Sequence, residues 1–237
     1  QVPGKDDRVI VETGAVTLGE AVEIAQLTVG GGESMASLKA TAELTVGGGV
    51  DVRDGGTLSL NAPSTVGGSF FVRNGGTLTH EANSNAETYK LDLTVAENVT
   101  VEAGGAIDVT GKGYAATKGP GYVSGNTATS YGGRGANGNR VQGPEPCYGS
   151  IVCPFRLGSG GNSGNVTPSS GGGAMKLTVG GTLEIMGVVA ADGQYSRPAN
   201  YSASGGSVWL TVGRLLGSGV IRANGTPVTS FSPGAGG

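Results

Sequence analysis

The sequence predicts an all-β fold, a right-handed parallel β-helix (β-solenoid) with a glycine-rich irregular middle section. Three observations predict it. The heptapeptide Val52-Arg53-Asp54-Gly55-Gly56-Thr57-Leu58 recurs 20 residues later as Val72-Arg73-Asn74-Gly75-Gly76-Thr77-Leu78. The tripeptide Leu-Thr-Val stands at 27–29, 44–46, 93–95, 177–179 and 210–212. Glycine supplies 48 of the 237 residues, against about 7% in average proteins.

The repeat is the strongest of the three, because self-similarity at a fixed period marks repeat architectures. A looser third copy is Val101-Glu102-Ala103-Gly104-Gly105-Ala106-Ile107. Each copy reads as strand, turn, strand. Val50-Asp51-Val52 and Thr57-Leu58-Ser59-Leu60 alternate apolar and polar residues, the period of a half-buried strand. Asp54-Gly55-Gly56 between them is turn chemistry, since glycine accepts positive φ at no steric cost. In a solenoid such copies stack about 4.8 Å apart, so Leu58 lies over Leu78 in a buried ladder. Arg53 then lies over Arg73, an unfavourable stack of like charges that Asp54 or a shifted register relieves. Towards the C-terminus, Leu177-Thr178-Val179 with Val189 to Gly193 recurs as Leu210-Thr211-Val212 with Val220 to Gly225, offset by 32 or 33 residues with a one-residue adjustment between. Asn-Gly and Asp-Gly pairs also mark hairpins, so an antiparallel sandwich is the rival fold. Its strands need not resemble one another, and these do. The best helical candidate, Gly19 to Gln26, is short and alternates as well.

Composition bounds the rest. The glycines lack the collagen period, and a hydrophobic fraction of 37% with a net charge of -3 does not fit disorder. Basic residues are scattered, which gives nucleic acid no patch to bind. No run of about 18 apolar residues exists, so no membrane span is expected. The start Gln1-Val2-Pro3 suits a mature end after signal removal, as it suits any boundary, and the stop in the tract Gly234-Ala235-Gly236-Gly237 suits further protein beyond.

The organisation expected is N-terminal β-solenoid units over 1–110, a Gly/Tyr-rich section over 111–174, and C-terminal units over 175–237 that continue the first. In the middle section apolar residues thin out and tyrosines enter at Tyr114, Tyr122, Tyr131 and Tyr148. It is too long for an ordinary loop, and reads as a functional excursion or as irregular turns laid along the solenoid. Cys147 and Cys153 lie inside it. Two cysteines without a nearby histidine cannot fill a zinc site. The preferred reading is a small loop-closing disulfide in an oxidising compartment; the alternative is two reduced, buried thiols.

Gly111-Lys112-Gly113-Tyr114, Gly119-Pro120-Gly121, Tyr131-Gly132-Gly133 and Leu157-Gly158-Ser159-Gly160-Gly161 come in order. Gly171-Gly172-Gly173-Ala174, Ser204-Gly205-Gly206-Ser207-Val208-Trp209-Leu210 and Ile221-Arg222-Ala223-Asn224-Gly225 follow. From about Gly111 to Gly237 this series resembles the glycine-rich β-solenoid segments of large bacterial secreted and surface proteins. The resemblance implies an extracellular or cell-surface location and an adhesive or matrix role, with no agreed active site. The cysteine pair departs from that pattern.

A search for chemistry gives little. Glycoside hydrolysis needs two carboxylates about 5 to 9.5 Å apart. Asp51, Asp54, Asp92, Glu102 and Asp108 are the candidates, but Asp51 and Asp108 sit at polar strand positions that any soluble strand fills. His80, the only histidine, reads as a surface residue at a strand end, with no nucleophile elbow to serve. No phosphate-binding loop and no regular calcium nonapeptide is present, so neither cofactor nor metal is expected, and the chain is read as a non-enzyme. Asn98, Asn165, Asn200 and Asn224 head Asn-x-Ser/Thr triplets and are possible N-glycosylation sites, although chance explains them in so Asn-, Ser- and Thr-rich a chain.

Two roles follow. The first is an extracellular structural or adhesive protein that self-associates through the strand edges at its solenoid ends. The second is polysaccharide binding or cleavage, with Tyr114, Tyr122, Tyr131 and Tyr148 as a glycan platform and Arg134 and Arg140 contacting acidic groups. The plainer account of those tyrosines has them covering an apolar flank.

Overall fold

Short runs of alternating apolar and polar residues make strands that can bury one face, and the described residues contain eighteen strands, most of which do so while β2 and β18 at the two ends of one sheet do not. A computed structural model describes residues 2–123, 129–135, 147–161, 169–194 and 202–226. These contain no helix. The strands are β1 (Arg8–Val11), β2 (Gly14–Leu18), β3 (Val22–Ile24), β4 (Gln26–Val29), β5 (Ala36–Ala40) and β6 (Leu44–Val46). Then come β7 (Val50–Val52), β8 (Gly56–Leu60), β9 (Ser64–Val66), β10 (Phe70–Val72), β11 (Thr77–Thr79) and β12 (Leu91–Val95). The last are β13 (Val99–Val101), β14 (Ala106–Asp108), β15 (Ala174–Ile185), β16 (Val188–Ala190), β17 (Ser207–Leu216) and β18 (Val220–Arg222).

Every described pairing is parallel, and the pairings sort into three columns. One runs β3-β6-β9-β12-β15-β17. The second runs β1-β4-β7-β10-β13-β15-β17. The third runs β2-β5-β8-β11-β14-β16-β18. The long strands β15 and β17 lie in the first two columns at once, which joins those columns into one sheet. Between the columns sit turns such as Arg53 to Gly56. Gly55, Gly75 and Gly104 hold φ of 66°, 74° and 83° in three successive copies, a conformation that costs other residues.

Stacking like on like builds the core. Val11, Val29, Val52, Val72, Val101 and Ile185 form one buried row. Leu38, Leu58, Leu78, Ile107 and Val189 form another. Four of the Leu-Thr-Val tripeptides stack in the first column, while the one at 27–29 lies in the second. Their threonines follow one another on its outer face as Thr45, Thr65, Thr94, Thr178 and Thr211, where Thr65 alone differs by lying in Ser-Thr-Val. The changing offset between β15 and β17 has a local cause. Leu177 pairs with Leu210 but Leu183 with Leu215, across a register shift between Val179 and Thr182.

Arg53 and Arg73 do stack in register, and the residue that relieves them is Asp51, not Asp54. Its carboxylate accepts from Nε of both arginines at 2.8 Å. Glu102 takes Nη1 of Arg73 at 2.7 Å, and the Arg73 guanidinium lies 4.1 Å from the Phe71 ring centroid. The stretch Gly19 to Gln26 carries β3, not a helix.

The middle section leaves the columns after β14 and returns at β15, one rung further on. β12 pairs with β15 and β14 with β16, so the ladders cross the excursion unbroken. The described parts of the excursion stack glycine backbones directly. Gly113 donates to Gly171 O, Gly171 to Tyr114 O, Gly158 to Gly172 O, Gly172 to Ser204 O and Gly173 to Val109 O, at 2.7–3.0 Å. Successive residues thus bond to different neighbours, which is neither helix nor sheet. A Cβ on Gly206 would press into the Gly173 carbonyl, and one on Gly172 into that of Ala191. Tyr114, Leu157 and Ala174 form a second small core there, with Phe155 against it.

The expected disulfide is not formed. Cys147 and Cys153 are free and exposed. The backbone between them is already committed elsewhere: Tyr148 N donates to Tyr131 O, and Ser150 Oγ accepts from the amides of Val152 and Cys153 at 3.1 Å. His80 is the other correction. It is completely buried, between the end of β11 and the start of β15.

Candidate ligand groove

The excursion and the last rung enclose a groove of about 750 Å³. Ser207 and Val208 of β17 and Ile221 and Arg222 of β18 form one side. Tyr131, Gly132, Gly133, Cys147 to Ile151 and Pro154 form the other. Glycine permits the close approach that makes the second wall: Gly121 lies against the Ser130 carbonyl and the Tyr148 ring, where a Cβ would not fit.

Tyr131 and Tyr148 meet edge to face, with ring centroids 4.9 Å apart, an arrangement the ring quadrupoles favour. The Tyr148 hydroxyl donates to Leu157 O at 2.6 Å. Its single proton is then used, so the 2.8 Å contact with Ser159 Oγ has the serine donating. Ser159 Oγ in turn accepts from Gly121 N at 2.9 Å. Burial raises the Tyr148 pKa well above its ordinary value, with the Ser159 hydrogen bond opposing the rise. The Tyr131 hydroxyl is buried without a hydrogen-bond partner in range; burial raises its pKa, with Ser207 and the Arg156 backbone opposing the rise. Ser207 Oγ itself donates to Arg156 O at 2.8 Å.

Charge sits at the rim and behind the wall. Arg222 Nε lies 2.6 Å from Asp192, whose other oxygen accepts from Asn224 N. Glu87 takes Arg156 and Lys90 at 2.6 Å each, and Tyr114 OH at 3.3 Å. Burial pushes the Glu87 carboxyl up, but those two cations outweigh it and hold it below its ordinary value. Lys90 also donates to Phe155 O and stands over that ring, fastening the excursion to the strands before it.

Of the expected platform, the structure brings together Tyr131 and Tyr148. Tyr114 is buried in the second core. Tyr122 is half-buried and Arg134 exposed, and neither lines the groove. Arg140, Asn165 and Asn200 lie outside the described residues. Asn98 is exposed, and its side-chain oxygen accepts from Thr182 N at 2.8 Å. Asn224 is exposed, but the Thr226 of its triplet is buried and bonded to Ala203. Asp51 and Glu102 are tied to arginines, Asp92 to Lys176, and Asp108 to Thr110 N. No group of three or more His, Cys, Asp or Glu residues suited to a metal occurs among the described residues, and these contain no helix long and apolar enough to cross a membrane.

Sequence reasoning missed Ser207, Ile221 and Arg222, which reach the groove only because the excursion folds back over the last rung. Their place in the last repeat was the available signal. Compared with known proteins, the chain matches no family model, no curated protein and no solved structure.

Proposed function

We propose that the three columns are the faces of a right-handed parallel β-solenoid, and that the chain is an extracellular or cell-surface structural and adhesive element without catalytic activity. The carrying observation is the set of unbroken inward rows, which pass from before the excursion to after it. A stack held by parallel ladders on all sides is stiff along its axis. Parallel crossovers are right-handed in about 98% of cases, which supports that hand here. The resemblance of Gly111 to Gly237 to glycine-rich segments of large bacterial secreted and surface proteins supports the location. Antibody labelling of intact cells of the source organism tests it. Surface staining is expected; staining only after permeabilisation overturns the location.

The groove supports a second reading, polysaccharide binding. It joins aromatic edges to an arginine at the rim, the mixed lining that fixes small ligands and sugars. A glycan array tests it: binding that Arg222→Ala weakens is expected, and an array without binding removes this reading.

A further inference from the structure

We infer that the chain carries a second ligand site, a cleft on the outward face of the sheet that the first two columns share, and that it takes a sugar unit of a neutral polysaccharide. The cleft is separate from the groove at the excursion and stands whether or not that groove binds a ligand.

The ladders dictate its composition. Phe70, Val99 and Leu183 pair across β10, β13 and β15 and are buried, as are Val72, Val101 and Ile185 two residues on. The alternate residues therefore point outward. They are Ser69 and Phe71 from one rung, Asn98 and Thr100 from the next, and Thr182 and Glu184 from the third. These six line a cavity of about 290 Å³, small for a ligand pocket and suited to a sugar ring. It lies open on the face of the sheet, which admits a unit within a chain. Rungs continue on both sides of it, with Asp51 beside Phe71 and Leu216 beside Glu184, so the cleft lies inside the stack.

Its polar groups are held ready. The Asn98 side chain occupies the space that a Cβ on Gly181 would need, and its Oδ1 accepts from Thr182 N at 2.8 Å. That bond fixes the amide and leaves Nδ2 as a donor. The Thr100 and Thr182 hydroxyls and the Glu184 carboxylate make no hydrogen bond or ion pair among the described residues. Ser69 Oγ donates to Glu97 at 2.8 Å and keeps its capacity to accept. The Phe71 ring is steadied by the Arg73 guanidinium, 4.1 Å from its centroid, and Arg73 is itself held by Asp51 and Glu102.

This set matches a sugar. Hydroxyls around a sugar ring both donate and accept, as the cleft's threonines do, and its C–H surface suits an aromatic ring. A few convergent polar groups beside such a ring are what orient small ligands. Charge narrows the choice. The lining holds one carboxylate, Glu184, and no cation. Glu97 stands behind Ser69. Arg73 is spent on Asp51 and Glu102, and Arg214, beside Thr182 on the next rung, offsets only one of the two free carboxylates. An acidic sugar is therefore repelled, whereas a neutral one donates a hydroxyl to Glu184 in a charge-assisted bond.

A glycan array probed with the 237-residue chain, and with its variants Glu184→Gln, Phe71→Ala and Arg222→Ala, tests this. Glu184 is exposed and unpaired, so its change leaves the fold intact, and a matching circular dichroism spectrum certifies each variant. Neutral glycans are expected to bind. Glu184→Gln should weaken that binding roughly tenfold or more, Phe71→Ala should weaken it as well, and Arg222→Ala should leave it unchanged. An array on which no neutral glycan binds overturns the site, and so does neutral binding that Glu184→Gln leaves intact. Binding of acidic glycans alone, lost in Arg222→Ala, would belong to the groove and overturn the cleft.

Discussion

Lowering the pH from 7 to 4 should cost this protein about 3 kcal/mol through one residue, His80. Its ring is sealed between two strands. Nδ1 contacts Glu81 O at 2.7 Å, so it carries the proton, and Nε2 accepts from the Ala174 amide at 3.3 Å. A second proton on Nε2 would face that N–H with another. Burial, with Lys112 and Lys90 adding repulsion, lowers the His80 pKa to about 4, against the help of the Glu81 carbonyl. In the unfolded chain the imidazole titrates near 6.5. The unfolded state therefore binds more protons between those values, and stability falls as the pH falls from about 6.5 to about 4, then levels. A gap of about 2.5 pKa units at 1.36 kcal/mol each gives the roughly 3 kcal/mol. Glu87 and Glu102, both held low by cations, add their own loss in acid, starting as the pH enters the ordinary carboxylate range. Denaturant unfolding at several pH values, on the unchanged chain and on His80→Gln, separates the two. The variant should lose the slope between pH 6.5 and 5 while keeping the carboxylate slope below it. The single histidine also gives one imidazole signal in nitrogen-15 spectra. A folded-state titration near 6.5, or equal slopes in the two proteins, would refute the reasoning.

Three further outcomes are expected. Gly206→Ala drives a methyl into the Gly173 carbonyl and should destabilise by about 3 kcal/mol or more, whereas Gly133→Ala, which meets nothing, should stay within about 0.5 kcal/mol; thermal melts decide. Leu78→Ala, at the centre of the buried third-column row, should cost about 2–5 kcal/mol in urea unfolding. Asp51→Ala leaves Arg53 and Arg73 stacked without their shared carboxylate and should cost about 1 kcal/mol, less at high salt, read from melts at two ionic strengths.

How much of this was legible depends on what each part is made of. The 20-residue repeat placed β7 over β10 and β8 over β11, because identical residues stack best on themselves. The row of Leu58 over Leu78 followed directly. The excursion was legible only as a composition. Its order comes from backbone hydrogen bonds between glycines, and glycine leaves no side-chain pattern to read. The same blindness hid the groove, whose walls meet through that packing. Tyr131 and Tyr148 both line the groove, but the Tyr148 hydroxyl is spent on Leu157 and Ser159 inside the protein and that of Tyr131 is buried without a partner. His80 misled because a lone histidine at a strand end normally faces water. Here the chain returning at Ala174 covers it from 94 residues away, a contact no local pattern announces. The cysteines misled by spacing alone, since the fold commits the backbone between them to other partners.

The central claim is that the ladders run through the excursion, with β13 beside β15. A cross-link measures that most directly. Thr100 and Glu184 pair across these strands and both face outward, at the parallel-strand spacing of about 4.8 Å that a disulfide spans. In a chain carrying Cys147→Ser and Cys153→Ser, the changes Thr100→Cys and Glu184→Cys should form a disulfide quantitatively under mild oxidation, as should the control Thr45→Cys with Thr65→Cys. Free thiols at 100 and 184 beside a closed control would contradict the account.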